Sequence, residues 1–181
     1  MSIQFTIQSW YVLVPLFLVL FVYFSTKTFA SKTYSVTRFM LMLTFTFYTL
    51  AVLHLVFFPI EVNIGQFANQ TPWYKSINFI PVLTIDIKTF IYNIMMLTPL
   101  GMYLPLLSNK FNSTLSAAKF SLCMSLSFEA LQLVIRILLG NGRSTDINDI
   151  IANTIGGVVG FLAYKLLIKA KPIKLLADRS H

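Results

Sequence analysis

Five long apolar stretches dominate this chain of 181 residues. Each is about 20 residues long, which is the length at which an α-helix crosses the hydrocarbon core of a bilayer. Charged residues make up 11% of the sequence, whereas soluble domains carry about 25%. The pattern predicts an all-α, polytopic membrane helix bundle with about five transmembrane helices, and the whole chain, residues 1–181, is expected to be a single membrane domain.

The predicted spans cover residues 10–26, 39–60, 85–106, 115–139 and 147–168. Trp10 and Tyr11 begin the first span, as aromatic residues at a membrane interface commonly do. Residues 61–83 are polar and rich in turn-forming residues, and we expect a loop there. The basic tail, residues 169–181, is expected to lie on the membrane surface or in solvent.

Basic residues are distributed unevenly between the two sides of this predicted bundle. The first and third loops and the tail are basic, whereas the N-terminal segment carries no charge and the second loop balances to zero. The positive-inside rule then places the N-terminus outside and the C-terminus in the cytoplasm. Because the net charge of +8 lies mainly in these membrane flanks, we expect no nucleic acid partner.

One polar spacing, i, i+3, i+7, occurs three times beside or within the apolar segments. On a helix, each set lies in one narrow stripe. Ionisable groups at membrane depth are costly and therefore mark candidate functional sites. In the predicted orientation all three stripes open toward the outer face, where we expect a polar crevice. The three stripes are Asp86, Thr89 and Asn93; Glu129, Gln132 and Arg136; and Asp146, Asp149 and Asn153.

Glu129 is the polar residue that is hardest to explain by structure alone. It lies seven residues, or ~10 Å along a helix, from Arg136, and a charge at such depth costs at least ~2.5 kcal/mol. A hydrogen bond that packs two helices together is the structural alternative.

The crevice would hold four acids, Asp86, Glu129, Asp146 and Asp149, and two bases, Arg136 and Arg143. Protonation of Glu129, a bound cation or a cationic group on a ligand would relieve the excess negative charge. The arginines would suit a carboxylate or a phosphate. We therefore expect the following residues to bind ligand: Asp86, Asn93, Glu129, Gln132, Arg136, Arg143, Asp146, Asp149 and Asn153.

Several of these polar residues also have structural interpretations. Thr145 or Asp146 is a natural helix N-cap, and Asp149 would lie in the first helical turn, where an acid is favoured. Asn93 could serve as an interhelical hydrogen-bonding residue. The small residues Gly156 and Gly160 would let another helix approach closely, and we expect that helix to be the fourth span, which would bring Glu129 near Asn153.

The sequence contains no pattern typical of a cofactor or metal site. The histidines and the single cysteine lack zinc spacing, and there is no phosphate-binding loop, dinucleotide fingerprint or nucleophile elbow. We therefore expect no cofactor and no metal.

Four short motifs resemble the pattern of the VanZ-like family of bacterial membrane proteins. The resemblance extends over residues 78–164, and structural roles are expected within it for Pro81, Pro99, Gly101, Gly156, Gly157 and Gly160. The motifs, in chain order, are Asn78-x-x-Pro81; Asn93-x5-Pro99-x-Gly101; Glu129-x2-Gln132; and Arg143-x2-Asp146-x2-Asp149-x3-Asn153-x2-Gly156-Gly157.

The resemblance implies a multi-pass protein of a bacterial plasma membrane, in a Gram-positive organism, that lowers susceptibility to the lipoglycopeptide teicoplanin. Three mechanisms are open. The crevice could bind a lipoglycopeptide or an envelope lipid, with membrane lipids as neighbours. Alternatively, Glu129 or Asp149 could be the acid or base of an intramembrane enzyme that acts on a lipid-linked envelope substrate. A proton- or cation-coupled transporter is the third hypothesis.

Overall fold

A computed structural model describes residues 2–168, so the predictions for the basic tail, residues 169–181, lie outside the described part of the chain. Within it, five helices are long and apolar enough to cross a membrane, which confirms the predicted helical class. The second helix begins and ends three residues before its predicted span. The helices are α1 (Ser9–Ser25, continued by a π-helical turn, Thr26–Ala30), α2 (Val36–Phe57), α3 (Ile87–Leu107), α4 (Thr114–Leu139) and α5 (Ile147–Leu167).

Two small sheets lie at the end of the bundle where α1, α3 and α5 begin. Strand β1 (Ile3–Ile7) pairs antiparallel with β2 (Ile60–Ile64), and β3 (Ile77–Asn78) pairs parallel with β4 (Thr145–Asp146). The segment expected to be a loop thus contains two strands. Each strand pairs with a distant part of the chain, so the local turn-rich composition did not indicate them.

Short polar side chains begin four of these helices. In each case a side-chain oxygen accepts a backbone N–H of the first turn, which satisfies one of the donors left free at a helix start. Helix α4 ends at Leu139 and is followed by Gly140, which has a left-handed backbone (φ 64°). The N–H of Gly140 donates to the carbonyl of Arg136. The capping residues are Ser35, Asp86, Ser113 and Asp146.

Helices α3 and α5 touch backbone to backbone through glycines. A Cβ atom on Gly156 would overlap the carbonyl of Ile94, and one on Gly160 would overlap the carbonyl of Thr98. Our expectation that the fourth span packs on this pair of glycines is therefore wrong. The pair faces α3, whereas Gly157, about 100° further round the helix, packs against Ser121 of α4.

Apolar side chains from α2, α3, α4 and α5 form the core next to these glycine contacts. Phe57 and Phe128 pack edge to face with ring centroids 5.8 Å apart, which ties α2 to α4. Pro105 is buried in α3, Pro99 is partly buried, and Pro81 lies exposed in the turn before that helix. The buried core residues are Val52, Val56, Phe57, Leu97, Leu100, Leu104, Ala117, Phe128 and Phe161.

Replacing Gly160 by alanine should lower the free energy of unfolding by about 1–3 kcal/mol, because the added methyl group must push α3 and α5 apart. Gly142→Ala is the matched control, since a Cβ there meets nothing closer than the Asn69 side chain at 3.9 Å. Thermal unfolding of both purified variants in detergent measures the difference. Equal stability of the two variants would contradict the proposed contact.

Candidate functional site

Six residues of the three predicted polar stripes line one cavity of about 630 Å³ between α2, α3, α4 and α5. This volume lies within the range of about 300–1,000 Å³ that is usual for small-molecule sites. Each of the three stripes contributes its two deeper members. The six residues are Thr89 and Asn93 from α3, Glu129 and Gln132 from α4, and Asp149 and Asn153 from α5.

The remaining member of each stripe lies at a helix end and does not line this cavity. Asp86 caps α3 and Asp146 caps α5, while Arg136 is bound by the loops at the end of α4. Each stripe is therefore divided by depth. Its terminal residue organises the helix end, and its two inner residues face the cavity.

Asp86 is exposed and makes its hydrogen bonds within its own helix. Its carboxylate accepts the Thr89 hydroxyl at 2.7 Å and the Lys88 backbone N–H at 3.2 Å. These hydrogen bonds, that of Thr89 first, lower the pKa of Asp86 below its usual value. The structure therefore gives Asp86 a capping position rather than a place in the cavity wall.

Asp146 joins three segments of the chain. Its carboxylate accepts the Asn78 side-chain amide at 2.9 Å and the Asn148 backbone N–H at 2.8 Å. Its own backbone N–H donates to the Glu129 carboxylate at 3.1 Å. The Asn78-x-x-Pro81 element is thereby fixed to the start of α5, directly above the cavity.

Arg136 is buried and donates to three backbone carbonyls. These belong to Arg143 at 2.8 Å, Asn141 at 3.3 Å and Thr71 at 3.4 Å. Two of the three acceptors lie in the turn between α4 and α5, and the third lies in the long loop after β2. The buried guanidinium therefore joins the two loops through their carbonyls, one of which belongs to the buried residue Asn141.

Arg143 both lines the cavity and anchors the end of α2. Its guanidinium donates to the carbonyl of Val56 and, at 3.0 Å, to that of Phe58. Burial lowers the pKa of Arg143, and the negative charge of nearby Glu61 partly opposes that effect. The positive charge at the cavity therefore has a fixed position.

Inside the cavity, neighbouring helices are linked by polar contacts. The Asn153 side-chain amide donates to the Ser125 hydroxyl at 2.9 Å, and that of Gln132 donates to the Val56 carbonyl at 2.9 Å. Asn93 lies beside the Asp149 carboxylate. These contacts bring Glu129 and Asn153 to one site, as expected, although the glycines of α5 pack elsewhere.

The remaining wall of the cavity is apolar and opens sideways. Leu55 of α2 and Tyr92 and Met95 of α3 line the cavity, yet 64%, 56% and 63% of these residues are exposed. They lie on the lateral surface of the bundle, which faces lipid in a membrane. Polar groups inside and apolar groups at a lateral mouth make the cavity suited to an amphiphile.

Sequence reasoning missed three buried polar residues that shape this end of the bundle. Asn148 accepts the Val82 backbone N–H at 2.9 Å, Asn141 accepts that of Arg143 at 2.9 Å, and Ser125 holds Asn153. An asparagine two residues after a helix cap was the one signal that could have indicated Asn148. Over residues 2–168, no group of three or more His, Cys, Asp and Glu side chains could hold a metal ion.

The sequence of this chain is similar to those of known proteins of one family. A family model described as VanZ/LLP1 matches residues 45–168. Protein VanZ from Enterococcus faecium is 32% identical over 122 residues, which cover 66% of this chain and 70% of that protein. No solved structure matches the chain.

Replacing Arg136 by methionine should lower the free energy of unfolding by at least about 1.5 kcal/mol, because charged hydrogen bonds from a buried guanidinium to backbone carbonyls are lost. Lys75→Met serves as the control, since Lys75 is an exposed base at the same end of the bundle. The melting temperatures of the two purified variants provide the measurement. If Arg136→Met melts no lower than Lys75→Met, the structural assignment of Arg136 is wrong.

Proposed function

This chain belongs to the VanZ/LLP1 family, and from that premise we propose that it lowers susceptibility to teicoplanin by binding an amphiphile in its membrane cavity. The amphiphile is a lipoglycopeptide or an envelope lipid. The protein is a multi-pass membrane protein, and we place it in a bacterial plasma membrane.

The observation that carries this proposal is the composition of the cavity wall. Glu129, Asp149 and Arg143 lie on the same cavity as Met95 and Phe128. Isolated charges at this depth are costly, and a polar group on a ligand would offset that cost. The apolar part of the same wall would accept an acyl chain.

The orientation follows from loop charge, with the two small sheets outside and the basic loops in the cytoplasm. In that orientation, the helix termini that carry Asp86, Arg136 and Asp146 lie at the outer face. The cavity then lies on the side from which an extracellular drug or an outer-leaflet lipid would arrive.

An intramembrane enzyme is the second candidate function, and one observation favours it. Glu129 and Asp149 are two carboxyl groups of one cavity, an arrangement that could supply an acid and a base. Ser125, which lies one turn before Glu129 on α4, is fully buried and accepts the Asn153 side-chain amide. Conversion of a lipid-linked envelope precursor by the purified protein would favour this candidate over binding alone.

Expression of the chain in a teicoplanin-susceptible Gram-positive host should raise the minimum inhibitory concentration of teicoplanin. Glu129→Gln should return it to the level of the host without the gene, because the substitution removes the deepest charge of the cavity wall. Membrane protein levels must be equal in the two strains, as measured by immunoblot.

Asp86→Asn is the matched control, because it also neutralises one carboxylate while asparagine still caps a helix. It should preserve the raised inhibitory concentration. Full protection by Glu129→Gln at normal protein level would contradict a functional role for the cavity.

The proposed orientation is tested by cysteine labelling of intact cells. In a Cys123→Ser background, a cysteine that replaces Gln70 should react with a membrane-impermeant maleimide, whereas one that replaces Lys110 should react only after lysis. Both positions are exposed, and they lie at opposite ends of the bundle. The reverse labelling pattern would invert the topology and place the cavity toward the cytoplasm.

A further inference from the structure

One buried polar atom at the cavity is left without a partner. Asn153 lines the cavity with only 3% of its surface exposed, and its side-chain nitrogen donates to Ser125. Its Oδ1 atom has no hydrogen-bond partner among the described residues. A buried acceptor in this state costs about 1–3 kcal/mol, so a donor that arrives with a ligand would remove a real penalty.

Two carboxylates line the same cavity as this atom. They belong to Glu129 of α4 and Asp149 of α5. Asp149 lies one helical turn before Asn153. The main donors of the wall are already used. Gln132 donates to Val56, and Arg143 donates to Val56 and Phe58.

An acceptor-rich site with excess negative charge calls for a positively charged donor. Over residues 2–168, no three His, Cys, Asp or Glu side chains form a group that could hold a metal ion, and the cavity itself has two carboxylates. A primary ammonium group carries three N–H donors and one positive charge. Its three donors can therefore serve the three acceptors Glu129, Asp149 and the Oδ1 atom of Asn153, and its positive charge is opposite to that of the carboxylates.

We propose that the cavity binds the primary ammonium headgroup of a membrane lipid, held by Glu129, Asp149 and Asn153. This inference rests on the proposed function, since it names the chemical class of the amphiphile that the cavity binds. Its basis is the juxtaposition of an unpartnered buried acceptor with two carboxylates at one cavity.

Two further features favour a lipid with an aminoalkyl phosphate headgroup. Arg143 supplies a fixed positive charge at the same cavity, which suits a phosphate attached next to the ammonium. The exposed residues Leu55, Tyr92 and Met95 border the lateral mouth between α2 and α3. A lipid could enter there from the bilayer while its acyl chains remain among the apolar side chains.

Native mass spectrometry of the purified protein tests this directly with dioleoyl phosphatidylethanolamine as the probe. The same protein is offered the N-acetylated form of that lipid, which has lost the ammonium, and dioleoyl phosphatidylglycerol. We expect phosphatidylethanolamine to bind at least about tenfold more tightly than either, which is the magnitude of one hydrogen bond to a charged group.

Variants locate the site on the protein. Asp149→Asn and Asn153→Leu should each abolish the preference for phosphatidylethanolamine, whereas Asp86→Asn should retain it, because Asp86 lies outside the cavity. The comparison of Asp149→Asn with Asp86→Asn is matched in chemistry. Melting temperatures identify any variant that fails to fold, and the three-lipid comparison on the wild-type protein stands without them.

The outcomes separate this inference from the proposed function. Equal binding of all three lipids, lost in Glu129→Gln, would overturn the ammonium assignment while the cavity still binds an amphiphile. A preference for phosphatidylethanolamine that survives in both cavity variants would also overturn the assignment, because the headgroup would be recognised elsewhere. If the wild-type protein binds none of the lipids and also no teicoplanin, both proposals fail.

Discussion

The close contact between α3 and α5 is the constraint on which the rest of the structure depends. Gly101, Gly156 and Gly160 let the two backbones meet with no side chain between them. In a membrane, where helices gain little from leaving lipid for protein, such close packing is a main source of association free energy. The contact also fixes the rotation of both helices, and so turns Asn93, Asp149 and Asn153 toward the same space.

Depth in the membrane explains why each polar stripe serves two purposes. At the helix ends, Asp86, Arg136 and Asp146 satisfy backbone groups that the ends of helices and the turns leave free. One or two turns deeper, polar side chains of the same stripes bond across to neighbouring elements: Glu129 accepts the Asp146 backbone N–H, and Gln132 donates to the Val56 carbonyl. Those deeper residues form the cavity, and its polarity is what a ligand can recognise.

The helices and the polar stripes could be predicted from the sequence, because both depend on local periodicity and on the cost of charge in lipid. The pairing of α3 with α5 could not, since Gly156-x3-Gly160 shows that a helix approaches without showing which helix. The sequence indicated only in part which residues of each stripe lie at a helix end and which line the cavity. A helix cap at Thr145 or Asp146 could be expected from the sequence, but the role of Arg136 depends on carbonyls of loops far apart in sequence.

Electron cryomicroscopy of the protein in nanodiscs that contain phosphatidylethanolamine would show directly whether the cavity holds a lipid headgroup. We expect headgroup density in the cavity, in contact with Asp149 and the Oδ1 atom of Asn153, and acyl-chain density that leaves between α2 and α3. A cavity that holds only water, with lipid confined to the outer surface of the bundle, would contradict the proposal that the cavity binds a lipid headgroup.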